Sequence, residues 1–131
     1  MRRSERVQRE VQGIVEKYPG SSAIEEVSGN LVVTIPAYPI GPGFDRTVVR
    51  IAIKVGALYP SEKLDLFWVD PELRRNGGAM LPNVMASDIM LAGQKWTQIS
   101  WHDNAPHDPD CITILGFVRG IRKWFAEQGV R

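Results

Sequence analysis

The sequence contains a single cysteine, Cys111, among its 131 residues. One cysteine cannot form a disulfide within the chain, which excludes the disulfide-stapled scaffolds of small secreted proteins. No apolar run approaches the roughly 20 residues that span a bilayer, and the first residues are charged where a signal peptide would be apolar. These absences predict a cytoplasmic protein that does not engage a membrane.

The sequence also lacks an excess of charge of either sign. Sixteen Lys and Arg residues oppose fifteen Asp and Glu residues, which leaves a formal net charge of +1 and no long-range field that would attract nucleic acid. Neither a Gly-rich phosphate loop nor a Gly-x-Ser-x-Gly nucleophile elbow occurs. We therefore expect no nucleic-acid partner and no cofactor. Arginines near the chain ends, Arg6 among them, are interpreted as solvated helix faces, with docking to an acidic partner as the alternative.

The composition is that of a globular protein, with 44% hydrophobic and 24% charged residues, and the length suits one domain over residues 1–131. The first predicted element is an amphipathic helix. Its apolar stripe follows the helical period and ends at Pro19-Gly20; the stripe is Val7, Val11, Ile14, Val15 and Tyr18.

Four strands are predicted next. Residues 23–27 and 31–35 flank a Ser-Gly-Asn turn, residues 47–55 alternate between apolar and polar, and residues 63–69 carry bulky side chains on both faces. Since no crossover helix separates these segments, we expect a four-stranded antiparallel meander with helices packed against one face. The fold class is therefore α+β.

Residues 70–131 consist of a segment without a clear periodic pattern and a predicted C-terminal helix. Residues 70–100 lose their periodicity and are predicted to be irregular, with a short helix near residues 86–91. A C-terminal helix follows, in which Asp108 is predicted as the N-cap and Pro109 as the first helical residue. This assignment places Cys111 in the first turn of that helix.

The order of elements, together with four short motifs, resembles the superfamily of ubiquitin-conjugating enzymes, the UBC-like fold, and most closely its prokaryotic family E. The resemblance extends over residues 24–125. The segments that carry it are Pro39-Ile40-Gly41-Pro42-Gly43-Phe44, Tyr59-Pro60 with Leu64-Asp65-Leu66-Phe67, Asp70-Pro71-Glu72-Leu73, and Trp96 with Ser100-Trp101-His102.

In the eukaryotic relatives a His-Pro-Asn tripeptide precedes the cysteine that receives ubiquitin as a thioester. Here His102-Asp103-Asn104 is followed by Cys111, with aspartate in place of the proline. The resemblance implies that Cys111 is the nucleophile and that Asn104 donates a hydrogen bond to the developing oxyanion, while His102 orients the substrate or acts as a base.

Three nearby residues complete the predicted site as binding residues. The tryptophans are interpreted mostly as core residues, but one that is exposed in this region, with Trp101 as the candidate, could contact a partner protein. Asp108 and Asp110 could accept the proton of an incoming amine, although capping is a simpler role for Asp108.

Other interpretations of these residues stay open at the level of sequence. Cys111 falls at helical spacing with Leu115 and Val118, so it could be a small core residue. His102 could have a purely structural role. Zinc binding by His102, His107 and Cys111 is a third interpretation, but the spacing matches no strong zinc motif, and we predict no metal site.

The function predicted from this resemblance is that of an enzyme, a ubiquitin-conjugating-like transferase. It would accept a ubiquitin-like protein from an activating enzyme and transfer it to an amine, in a setting that includes a JAB-type metallopeptidase. The alternative is a non-catalytic module of the same fold that binds a ubiquitin-like protein or its activating enzyme. If Cys111 were buried, an oxyester on Ser100 would become conceivable.

Overall fold

A computed structural model describes residues 5–101 and 108–129, in which two helices lie on one face of a six-stranded antiparallel sheet. The strand order is β1-β2-β3-β4-β6-β5. The elements are α1 (Glu5–Lys17), β1 (Ser22–Glu25), β2 (Leu31–Pro39), β3 (Val48–Val55), β4 (Phe67–Val69), β5 (Val84–Leu91), β6 (Gln94–Ile99) and α2 (Ile114–Gly129). The predicted α+β class, with a helix before and after an antiparallel sheet, is confirmed.

The predicted four-stranded meander is wrong, because residues 84–99 form a further hairpin, β5–β6, that adds two strands. The short helix expected near residues 86–91 is part of β5. Asp88 has a positive φ of 58°, and the pairing register shifts between Ala86 and Ile89. A bulge of this kind breaks the two-residue alternation by which a strand is recognised in a sequence.

The main core lies between the sheet and the two helices. Alternate residues of β3 face it, as the sequence pattern predicts, and Val49, Ile51, Ile53 and Val55 are all buried. Phe67 of β4 packs against two aromatic rings of α2, with centroid distances of 5.3 Å to Trp124 and 5.8 Å to Phe125. These contacts hold α2 on the sheet. They thereby position residues 108–113, which directly precede α2.

A second apolar cluster covers the opposite face of the sheet. It consists of Val32, Ala52, Trp68, Leu91 and Trp96, to which Ile89 and Leu66 are added at the edge. The β5–β6 hairpin supplies Leu91 and Trp96, and the indole Nε1 of Trp96 donates to the carbonyl oxygen of Leu91 at 3.1 Å. The hairpin is therefore anchored by its own buried tryptophan.

The start of α2 differs from the prediction. The helix begins at Ile114, and Thr113 rather than Asp108 is its N-cap, since the Thr113 hydroxyl oxygen accepts from the amide of Gly116 at 2.9 Å. A continuous helix from Pro109 would use the carbonyl oxygens of Pro109 and Ile112 for intrahelical bonds. Both oxygens instead accept hydrogen bonds from the Arg6 guanidinium, which keeps the preceding turn separate from α2.

Replacing Thr113 by alanine should lower the free energy of unfolding by about 1 kcal/mol, because the first turn of α2 loses its side-chain acceptor. Urea denaturation followed by far-UV circular dichroism measures this change. Thr113→Ser retains the hydroxyl and serves as the matched control. Equal stability of the two variants would contradict the assignment of Thr113 as the cap.

None of the helices within residues 5–101 and 108–129 is both long and apolar enough to cross a membrane.

Candidate functional site

Cys111 lies on an exposed turn immediately before α2. The carbonyl oxygen of Asp108 accepts hydrogen bonds from the amides of Cys111 at 3.0 Å and Ile112 at 2.9 Å, and its carboxylate accepts one from the amide of Asp110 at 3.0 Å. The Cys111 side chain is exposed, so the interpretation of Cys111 as a core residue is wrong. The thiol is accessible to another protein.

Two carboxylates determine the electrostatics of this thiol. A hydrogen bond with the Asp108 side chain raises the pKa of Cys111, the charge of Asp108 raises it further, and desolvation and the charge of Asp110 add smaller contributions. A thiolate beside a carboxylate is unfavourable because like charges repel. Cys111 is therefore a protonated thiol at neutral pH.

Replacing Asp108 by asparagine should lower the pKa of Cys111, because the neutral amide removes the larger of the two repulsive charges while retaining an oxygen for the Asp110 amide. A larger thiolate fraction at mildly alkaline pH should then speed alkylation by iodoacetamide. Since Cys111 is the sole cysteine, the mass of the intact protein reports this reaction alone.

The matched control is Asp110→Asn, which removes the same charge from the weaker contributor. It should shift the pH profile of alkylation in the same direction by a smaller amount. A profile that is unchanged in Asp108→Asn would contradict the assigned contact between the thiol and this carboxylate.

The turn that carries Cys111 is held from α1. Arg6 donates through its two terminal nitrogens to the carbonyl oxygens of Pro109 and Ile112, and through Nε to the Glu10 carboxylate at 2.8 Å. The interpretation of Arg6 as part of a solvated helix face is therefore wrong. It binds the backbone on both sides of Cys111.

Glu10 links three segments of the chain. Its Oε1 atom accepts from the amide of Ile114, the first residue of α2, at 2.7 Å, and from the hydroxyl of Tyr59 at 2.8 Å. The Glu10 side chain is only 13% exposed. Tyr59 belongs to the Tyr-Pro motif, and burial together with the Glu10 carboxylate raises the pKa of its phenol, which remains a hydrogen-bond donor. The motif thus contributes to fixing the start of α2.

Trp101 is half-buried between β4 and α2. Its ring centroid lies 5.2 Å from that of Phe117 and 6.1 Å from that of Phe67. A Cβ atom at Gly120 would come within 2.8 Å of the indole, so glycine at this position of α2 makes room for the ring. Packing accounts for most of the Trp101 surface, and only the remainder of its ring is open to a partner.

Two predicted catalytic residues, His102 and Asn104, lie outside the described residues, as does His107 of the zinc interpretation. Ser100 precedes this segment, and its amide donates to the carbonyl oxygen of Asn83 at 2.8 Å. Within the described parts of the chain, no group of three His, Cys, Asp or Glu side chains could hold a metal ion. The structure thus brings together Cys111, Asp108 and Asp110 of the predicted site.

Arg6, Glu10 and Thr113 belong to this region although no sequence motif identifies them as parts of it. Arg6 and Glu10 are four residues apart on α1, a spacing that is common on exposed helix faces. The one feature of the sequence that could have indicated a contact with the rest of the protein is their position on α1, beside the apolar stripe rather than opposite to it. Their partners in residues 109–114 are more than a hundred residues away in the chain, and no local pattern identifies such contacts.

The chain is similar to a known protein family over most of its length. The family model described as prokaryotic E2 family E matches residues 20–128. No curated protein sequence and no solved structure matches the chain significantly. The match covers the whole sheet, the Cys111 turn and all but the last residue of α2.

Proposed function

The chain belongs to prokaryotic E2 family E, a family of ubiquitin-conjugating-enzyme-like proteins, and we propose that it accepts a ubiquitin-like protein from an activating enzyme as a thioester and transfers it to an amine. The observation that carries the proposal is the position of Cys111. The sole cysteine is exposed on an anchored turn beside two carboxylates, where another protein can reach it.

The first proposed step is acyl transfer between two cysteines. The Cys111 sulfur attacks the thioester carbonyl carbon that joins the modifier to the activating enzyme, a new C–S bond forms, and the old one breaks. As the sulfur attacks, the neighbouring Asp108 carboxylate accepts the thiol proton and passes it to the departing thiolate of the activating enzyme. The number of thioester bonds is unchanged, so neither an oxidant nor a reductant is required.

The second proposed step forms an amide. An amine of the target attacks the thioester carbonyl carbon on Cys111, the C–N bond replaces the C–S bond, and the Cys111 sulfur leaves. The proton lost by the amine passes through Asp108 or Asp110, both of which are exposed beside the thiol, to the departing Cys111 sulfur, which is restored as a thiol. In the family resemblance Asn104 would stabilise the oxyanion of both steps, and His102 would orient the substrate.

The proposed partners follow from the family. They are a ubiquitin-like protein, its activating enzyme and, in the same setting, a JAB-type metallopeptidase. Asp108 and Asp110 lie beside the thiol, and Trp101 is partly exposed against α2, so we propose these three residues as contacts for the modifier or the target.

The direct test is a conjugation assay with the purified protein, a ubiquitin-like protein, its activating enzyme and ATP, analysed by non-reducing gel and intact mass. The expected product is a covalent adduct of one modifier that disappears on reduction. Binding of the modifier or the activating enzyme without any adduct would overturn the transferase proposal and favour the non-catalytic module.

A further inference from the structure

We propose that Arg6 and Glu10 of α1 are positioning residues that hold the Cys111 turn in its reactive orientation. This inference rests on the proposed function of Cys111. It assigns to the N-terminal helix a part in the reaction rather than in packing alone. Neither side chain serves as an acid, a base or a nucleophile, and both act through the backbone of residues 109–114.

Arg6 holds the backbone on both sides of Cys111. Its two terminal nitrogens donate to the carbonyl oxygen of Pro109, two residues before the cysteine, and to that of Ile112, one residue after it. The guanidinium group is a rigid planar fork, so holding both oxygens at once restricts the orientation of the peptide units between them. Those peptide units carry the Cys111 side chain.

Glu10 fixes both the Arg6 fork and the following helix. One carboxylate oxygen accepts from Arg6 Nε at 2.8 Å, and the other accepts from the amide of Ile114 at 2.7 Å and from the hydroxyl of Tyr59 at 2.8 Å. Arg6 and Glu10 are 28% and 13% exposed, so water competes only in part for these bonds. The turn is thus tied at Pro109, Ile112 and Ile114 to a single helix.

The proposed acyl transfer needs such support because the thiol lies on an exposed turn. A turn tightened only by the Asp108 carbonyl oxygen would sample several orientations of the thiol. Acyl transfer requires the sulfur to approach the carbonyl carbon along a narrow range of directions, and a displacement of about 1 Å can lower a rate by up to a hundredfold. The contacts from α1 reduce this freedom before any partner binds.

The experiment compares Arg6→Ala and Arg6→Lys with the native protein in single-turnover transfer from the charged activating enzyme, at increasing concentrations of that enzyme. The saturating rate should fall about tenfold or more in Arg6→Ala, with an unchanged half-saturating concentration. Arg6→Lys should restore only part of the rate, because an ammonium group keeps the charge but cannot bridge both carbonyl oxygens. Arg9→Ala, which removes an exposed arginine from the same helix, should react like the native protein.

Glu10 is tested with a second pair of variants. Glu10→Gln keeps an oxygen for Ile114 and Tyr59 and should retain part of the rate, whereas Glu10→Ala should lose as much as Arg6→Ala. Hydrogen–deuterium exchange of the same proteins should show faster exchange confined to residues 108–114 in the alanine variants, with the sheet unchanged. Exchange is independent of conjugation, so it decides whether the turn is held even if the native protein forms no thioester.

Three results would overturn the inference. Unchanged exchange in residues 108–114 of Arg6→Ala would show that the turn does not depend on α1. A higher half-saturating concentration with an unchanged saturating rate would make Arg6 a docking residue for the activating enzyme. Full recovery in Arg6→Lys would show that charge alone is needed. A native protein without any adduct instead contradicts the proposed function itself.

Discussion

Replacing Cys111 by alanine should abolish the reductant-sensitive adduct with the ubiquitin-like protein while leaving the fold intact. The loss should be complete, because this is the sole cysteine and no other side chain can form a thioester. The side chain is exposed, and surface substitutions of this kind usually change stability by no more than about 0.5 kcal/mol. The measurement is the adduct fraction on a non-reducing gel, with thermal denaturation of the same protein to verify the fold.

Cys111→Ser is the matched variant, since it changes one atom of the nucleophile. A serine at this position should give a slow oxyester that survives reducing agents and is cleaved by mild base, because the hydroxyl is a much weaker nucleophile than the thiol at neutral pH. An adduct that persists in Cys111→Ala would refute the assignment. Since it could not be a thioester, it should survive reducing agents, and the search would turn to an oxyester on Ser100, which directly follows β6.

The first half of the fold could be predicted from local patterns. The apolar stripe of α1 follows the helical period, and its members Val7 and Ile14 are buried. The alternation in β3 places Val49, Ile51 and Ile53 on the face of the main core. In α1 the other face meets solvent. In β3 the other face carries the polar Arg50 and Lys54 on either side of the buried Ala52, so the alternation remains visible in the sequence.

The β5–β6 hairpin could not be predicted in this way, for identifiable reasons. Its turn consists of Ala92 and Gly93, both with positive φ, and alanine is not a residue that indicates such a turn. Asp88, also at positive φ, interrupts the alternation of β5. In β6 both faces are covered, since Ile99 packs on the main core and Trp96 on the second cluster. A strand buried on both faces shows no amphipathic pattern.

In the candidate site, too, local features could be predicted from the sequence and tertiary contacts could not. Cys111 and the neighbouring Asp108 could be identified from residue type and from the resemblance to ubiquitin-conjugating enzymes. The predicted N-cap is wrong. Asp108-Pro109 is a good local signal for the start of a helix, but Arg6 of α1 binds the carbonyl oxygens of Pro109 and Ile112, so this turn is separate from α2. Contacts between the two ends of the chain are decided by tertiary packing, and local propensity does not encode them.

Replacing Trp96 by alanine should lower the free energy of unfolding by about 3 to 5 kcal/mol, a larger loss than that expected for Thr113→Ala or Cys111→Ala. The indole is fully buried at the centre of the second cluster and anchors the hairpin through its bond to the Leu91 carbonyl oxygen. Its removal leaves a cavity lined by Val32 and Trp68 and deletes the hydrogen bond to the Leu91 carbonyl oxygen. Urea denaturation monitored by far-UV circular dichroism measures the loss without depending on the deleted fluorophore.

Two further variants separate the contributions of packing and hydrogen bonding. Trp96→Phe keeps a ring in the cluster but no donor for Leu91, so it should cost less than the alanine variant and still about 1 to 3 kcal/mol. Met90→Ala, at a side chain on β5 that is 59% exposed, should change stability by about 0.5 kcal/mol or less. If Trp96→Ala cost no more than Met90→Ala, the hairpin would not cover the outer face of the sheet. Because α2 and Ile112, next to Cys111, pack on the main core on the other face, a hairpin loosened by Trp96→Phe should leave the alkylation of Cys111 unchanged.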